Sequence, residues 1–443
     1  MTAAITDAAA APAEPASHHS NLSVLGASAL VMGGMMGSGV YLLPAALGKV
    51  GSISILGWGV STVVALVVAA MFSQLVMAAP RARGLAGYVQ AGLGRFFGVQ
   101  STVLYWTTYW FGNAAVAVAA AGYLSFVFPS LGGPGARLAV MLALVWFTVL
   151  VSWIGPRSVG RVEGLTLIIG LAPVALIATA GWLWFDPQVF QHGWNPTGAA
   201  PFDAIRGSAF TAYWAFLGLE CAVATSGVVR DPVKNVPRAT LAGVSGAASL
   251  YILASAALMG LLPAAALAKS TAPFADAARV TIGLAGAGLI ALCAFLRATG
   301  CLTGNTLVTA ETTREAADQG AFLAAFRTRP GERASPINLL TAGVLQTIVV
   351  VGTASPDIAD QFGRIASATV VMTLVVYAMA GVSLIRLREA FSTPRGRGLA
   401  IAAGAGAAVA AMGLIASASK LDLMITAAAI VLATALYPAL RRR

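Results

Sequence analysis

Charge is what this chain has least of. Only 10% of its 443 residues are Asp, Glu, Lys or Arg, while 58% are hydrophobic. Soluble domains carry about 25% charged residues, so this balance excludes an ordinary water-soluble enzyme. Histidine and cysteine are scarce as well, three of each. Cys221, Cys293 and Cys301 fall in apolar segments and show no CxxC or Cys/His spacing, so neither a metal site nor a disulfide framework is indicated. His18 and His19 lie in an alanine-rich N-terminal stretch and His192 in a loop, so no apolar segment contains a histidine to activate a nucleophile. The zinc-protease HExxH, the GxSxG elbow and the P-loop are all missing. No enzymatic activity, no cofactor and no metal is expected. The first 22 residues contain no Lys or Arg and lack the basic start of a signal peptide, so 1–22 reads as a disordered cytoplasmic tail.

What the chain has instead is long apolar runs, with a mean hydropathy of +0.83. Period-two alternation, the mark of a barrel strand, is absent, so the spanning elements are helices. The expected fold is an all-α membrane protein with about 12 transmembrane helices. The spans fall near 23–48, 51–79, 98–128, 135–154, 163–185, 204–229, 239–262, 281–310, 336–354, 362–388, 398–416 and 421–438. The net charge of +11 would suggest nucleic acid in a soluble protein. Here its distribution across the membrane matters more. With the N-terminus inside, nineteen of the 27 Lys and Arg residues fall in inner loops and seven in outer ones. That asymmetry fits the positive-inside rule with both termini cytoplasmic.

Two spans are interrupted by glycine: the first at Gly33-Gly34 and Gly37-Ser38-Gly39, the sixth at Gly218 beside Glu220. Each begins one of two five-span halves, the pattern of an inverted-repeat transporter with broken helices. Glycines alone would equally serve close helix packing. A carboxylate beside the second break favours a binding site, because ionisable groups at that depth mark ion or substrate pathways. Arg297 in span eight is the second intramembrane charge and shares a helix face with Cys293, Cys301 and Asn305. Two readings of it stand side by side, a pair with Glu220 or a group that attracts carboxylates. Span three presents Tyr105, Tyr109 and Asn113 on one face. Trp214, four residues before Gly218, reaches the second break, where an indole face could hold a cationic group.

The segment Gly33-Gly34-Met35-Met36-Gly37-Ser38-Gly39-Val40-Tyr41-Leu42-Leu43-Pro44 resembles the first-span signature of the amino acid–polyamine–organocation transporters. Similarity continues in Val103-Leu104-Tyr105-Trp106 with Gly112-Asn113, in Trp214 through Glu220, in Arg230-Asp231-Pro232, and in Pro273-Phe274-Ala275-Asp276. The chain is most similar to the bacterial basic amino acid/polyamine antiporters, which exchange arginine for agmatine or putrescine for ornithine. The resemblance implies a LeuT-like 5+5 inverted repeat with helices 1 and 6 broken, alternating access and a homodimer. It places the substrate carboxylate at Gly37, Ser38 and Gly39, and the cationic end of the substrate against Trp214. It adds Tyr105, Asn113 and Gly218 to the site, and assigns Glu220 to proton-sensitive gating. The sequence departs from the antiporters where Asn305 stands in place of a second tryptophan, Gly34 in place of an asparagine, and Arg297 in place of a small residue. On this reading 23–388 forms a ten-helix transport core and 389–443 two additional helices with a basic end.

The expected function is a secondary transporter exchanging amino acids across the bacterial cytoplasmic membrane, with basic amino acids and their decarboxylated amines as candidates. Asn305 and Arg297 keep a proton-coupled symporter of neutral amino acids in play. A substrate-sensing protein on the same scaffold is less well supported, since no large soluble domain could relay a signal. Partners are the small substrate and the lipid bilayer, not nucleic acid.

Overall fold

A computed structural model describes residues 23–37, 39–82, 84–220, 229–318, 320–329 and 335–441. Ser38, Cys221 and the tail at 1–22 lie outside the described residues. The chain is built of helices: α1 Val24–Met35, α2 Gly39–Gly48, α3 Ser54–Ala78, α4 Gly84–Leu93, α5 Arg95–Val127, α6 Pro134–Ile154, α7 Pro156–Thr179 and α8 Pro187–His192. They continue with α9 Pro201–Ala212, α10 Pro232–Leu261, α11 Ala264–Lys269, α12 Pro273–Asp318, α13 Pro336–Gly352, α14 Ile358–Arg386, α15 Pro394–Ile415 and α16 Lys420–Arg441. Proline marks where many of them start, as at Pro134, Pro156, Pro201, Pro232, Pro336 and Pro394. Its fixed φ suits the first helical turn, where its missing N–H costs nothing.

Among the described residues nine helices are long and apolar enough to cross a membrane, ten if the bent pair α1–α2 is one span. The expectation of about twelve differs at two places. α13 has 17 residues, just under spanning length. α9 stops after 12 residues at a break, and residues 221–228 lie outside the described part of the chain. Three short helices, α4, α8 and α11, lie where the sequence suggested plain loops. α12 is longer than its predicted span and is interrupted at Gly283, whose φ of +82° suits glycine.

Large apolar side chains face outward along the bundle, among them Leu25, Ile168 and Val409, each more than 70% exposed. In water such a surface would aggregate; in lipid it is the solvated face. The loop charges separate into two groups. Lys49 pairs with Asp357 and Asp360, and Arg137 donates to the carbonyl of Pro356 at 2.9 Å. At the opposite end Arg314 pairs with Glu311, and Arg327 donates to the carbonyl of Ala317 at 3.1 Å.

At the centre, α12 packs most extensively against α5 and α7. α5 can sit there because its alanines, Ala114 through Ala121, leave little side chain to keep neighbours apart. Small residues of α15 pack within the chain. Ala400, Gly404, Ala407 and Ala411 are buried, and α15 packs on α14 and α3. A Cβ on Gly404 would lie 2.5 Å from the carbonyl oxygen of Gly381 and 2.9 Å from Ile385. Gly404→Val should therefore destabilise the fold by about 1–3 kcal/mol through overpacking. The check is thermal unfolding in detergent; an unchanged midpoint would show that α14 and α15 can part at no cost.

Candidate functional site

The site begins where two helices stop. α1 ends at Met35, Met36 leaves helical geometry (φ −77°, ψ 50°), and α2 restarts at Gly39, 54° off axis. Gly33 and Gly34 remain helical, so the first break is confined to the second glycine cluster and does not include both. Beyond α9 the chain narrows to a 3-10 turn at Tyr213–Phe216, Leu217 is extended, and Gly218 has φ +97°. The two breaks touch: a Cβ on Gly218 would lie 2.6 Å from the Gly34 carbonyl oxygen. Both the positive φ and this approach require glycine.

Between the breaks lies a cavity of about 200 Å³, room for a small solute and not for a polymer. Gly37, Gly39, Trp214 and Gly218 line it from the broken helices, Tyr105 from α5, and Arg297 and Asn305 from α12; Glu220 lines it just past the second break. Asn113 does not line it. That side chain is fully buried behind α5, with its amide donating to Thr306 Oγ1 at 3.4 Å. Asn305 faces the cavity with its amide 3.6 Å from Cys301 Sγ.

Trp214 is seated by two glycines. A Cβ on Gly39 would come within 1.7 Å of its indole nitrogen, and one on Gly112 within 3.3 Å of the far end of the ring. On its other side Trp214 meets Phe362 edge to face, with centroids 5.8 Å apart at 79°. Phe362 also lines a separate recess on the Lys49 side, with Asp360 and Arg364. The aromatic pair is thus the partition between that recess and the cavity. In the other direction the cavity adjoins a recess lined by Gly84, Leu85, Thr312 and Glu315, with Tyr105, Tyr109 and Glu220 shared between the two.

Glu220 is 9% exposed, and both of its oxygens accept hydrogen bonds. Tyr105 Oη donates to Oε1 at 2.6 Å, and Tyr377 Oη donates to Oε2. Tyr109 Oη stands 2.9 Å from Tyr105 Oη, extending the chain of hydroxyls. Hydrogen bonds to a charged acceptor contribute about 1.5–3 kcal/mol each, so this clasp fixes the carboxylate firmly.

Arg297 does not pair with Glu220. It is 2% exposed and reaches the broken end of α1, where Nε donates to the Met36 carbonyl at 2.9 Å and Nη2 to the Gly33 carbonyl at 3.3 Å. Those carbonyls have lost their helical donors and sit at the negative end of the α1 dipole, so a guanidinium satisfies both demands. Glu163 of α7 lines the same cavity as Arg297, without an ion pair between the two among the described residues. A Cβ on Gly304 would lie 2.5 Å from the Glu163 carboxylate, so a glycine on α12 makes room for it. Neither Glu163 nor Tyr377 was singled out by the sequence. Glu163 follows Arg157 and Arg161 and looks like the edge of a loop, yet α7 begins two turns earlier. Tyr377 is one polar tip within an apolar span and carries no local signal.

A small cavity between two broken helices, inside a bundle with a lipid-facing surface, is the architecture of a secondary transporter of small solutes. The family model described as amino acid permease matches residues 22–437, and the chain belongs to that family of transporters, not of enzymes. The chain is 32% identical to the putrescine transporter PotE of Haemophilus influenzae, over 83% of this chain and 85% of that protein. It is also 32% identical to the cadaverine/lysine antiporter of Escherichia coli strain K12, over 82% of this chain and 83% of that protein. Among solved structures, MhsT in complex with L-phenylalanine superposes with a TM-score of 0.61 at 12% identity, covering 91% of this chain and 98% of that one. The fold is therefore LeuT-like.

The seat of Trp214 gives a direct test. Gly39→Ala should displace the indole and lower transport at least about tenfold, equivalent to roughly 1.4 kcal/mol, while the protein still elutes as a folded species. Transport at the wild-type rate would mean that the indole position is not needed.

Proposed function

We propose that the protein exchanges basic amino acids and their decarboxylated amines by alternating access, in a bacterial cytoplasmic membrane with both termini inside. The observation that carries this reading is the charge of the cavity. In this reading Glu163, which lines the cavity with Arg297, offsets its charge, and Glu220 adds one further negative charge facing the same space as the Trp214 indole. A buried carboxylate with no cation of its own among the described residues favours a cargo that brings positive charge, and an indole face adds cation–π attraction. Arg297, which by sequence alone argued against a cationic cargo, is engaged by the Met36 and Gly33 carbonyls. The relatives named as putrescine transporter and cadaverine/lysine antiporter support the same cargo class.

In this scheme the backbone around Gly37 to Gly39, with Ser38, receives the cargo carboxylate. Trp214 closes over the cationic end, while Tyr105, Gly218 and Asn305 complete the walls. Asn113 acts from behind, through Thr306. Glu220 couples cargo charge or protonation to gating. With the Lys49 side outside, the described conformation is closed outward by Trp214 and Phe362 and adjoins the recess that leads inward. Residues 23–388 make the transport core, 389–443 are accessory, and a homodimer follows from the family resemblance.

The second reading, proton-coupled symport of neutral amino acids, draws on Asn305, which leaves that wall without the second aromatic of the antiporters. Counterflow in proteoliposomes separates the two. Vesicles preloaded with lysine, arginine, ornithine or their amines should drive uptake of labelled basic amino acid, and neutral amino acids should not. Uptake that needs an imposed proton gradient and no internal counter-substrate would favour symport. Trp214→Ala should raise the half-saturating concentration of a basic cargo about tenfold, the scale of one desolvated cation–π contact. Glu220→Gln should weaken cationic cargo more than any neutral amino acid; equal weakening of both would make Glu220 a structural residue.

A further inference from the structure

Arg297 takes no part in the cargo recognition proposed above, because its guanidinium is almost fully buried and donates to backbone carbonyls. Its surroundings are nevertheless built for it. A Cβ on Gly170 would lie 2.4 Å from both Cβ and Cγ of Arg297, so α7 carries a glycine where the side chain passes. Gly300 clears Thr166 and Gly304 clears Glu163 on the same α7–α12 contact. Three glycines thus let the two helices approach where Arg297, Thr166 and Glu163 pass between them.

The carbonyls that Arg297 holds, Gly33 and Met36, are those of a half-helix C-terminal end at a mid-membrane break. In transporters with broken helices such ends coordinate the coupling cation. Here a guanidinium already satisfies both oxygens, and the Glu163 side chain lines the same cavity. The third nitrogen, Nη1, is buried without a hydrogen-bond partner among the described residues, so no close carboxylate contact draws the charge away from the helix end.

We propose that Arg297 is a tethered cation occupying the carbonyl site at the broken end of α1, so that the chain needs no free metal cation there. This goes beyond the proposed cargo and does not depend on it. Removal of the side chain would leave the Gly33 and Met36 carbonyls and the Glu163 carboxylate as hard oxygen donors around an open space. Such a set suits a monovalent cation, and suits the guanidinium ion that the missing side chain would have supplied.

The test is thermal unfolding of the full-length protein in detergent, with sodium, guanidinium or choline chloride at equal low-millimolar concentration. Wild type should melt at one temperature in all three. Arg297→Ala should melt lower in choline and recover in guanidinium or sodium. Arg297→Ala combined with Glu163→Gln should lose that recovery. A sodium-specific stabilisation of wild type would overturn the proposal, as would a folded Arg297→Ala protein that melts alike in all three salts. If the alanine variant yields no folded protein, Arg297→Gln removes the charge while keeping a donor for Met36, and is read the same way. No cargo is present in these measurements, so their outcome is separate from that of the counterflow experiment.

Discussion

Two helices that stop in the middle of a membrane leave backbone N–H and C=O groups with no helical partner and no water to take them. Each such group costs several kcal/mol in hydrocarbon unless protein or cargo satisfies it. Much of this structure follows from that constraint. At the end of α1 the freed carbonyls of Gly33 and Met36 are taken by Arg297. Around the second break the chain tightens into a 3-10 turn, and Gly218 comes to lie directly against Gly34. The backbone groups left over face a cavity, where a cargo can meet them.

Charge is arranged by the same logic. An intramembrane ion is tolerated only when paired or richly hydrogen-bonded. Glu220 is held by two tyrosine hydroxyls from two helices, while Arg297 is held by two backbone carbonyls. The two intramembrane charges are thus held separately, one by side-chain hydroxyls and the other by backbone carbonyls.

Most of the spans were legible in the sequence because hydropathy is a local signal, and α3, α5, α6, α14, α15 and α16 lie close to where that signal put them. The short helices α4, α8 and α11 were not, since each is too brief and too mixed in composition to show a period. The breaks at Gly37–Gly39 and Gly218 could be found because glycine and an isolated carboxylate stand out in an apolar run. The contacts that join them could not. Tyr377 is separated from Glu220 by 157 positions, Arg297 from Met36 by 261, and only packing brings them together. The glycines at 170, 300 and 304 look like ordinary packing residues until the charged or hydroxyl side chains they clear are seen. Arg297 read alone left open a pair with Glu220 or an attraction for carboxylates; in the fold it holds the Gly33 and Met36 carbonyls instead.

The central claim is that the Glu220 carboxylate sets the charge of the cargo. It is tested most directly by equilibrium binding to the purified protein of amino acids matched in shape and differing in side-chain charge, arginine against citrulline and lysine against norleucine. The account predicts that each cation binds at least about tenfold more tightly than its neutral match, a difference of roughly 1.4 kcal/mol. Equal or tighter binding of citrulline and norleucine would contradict it.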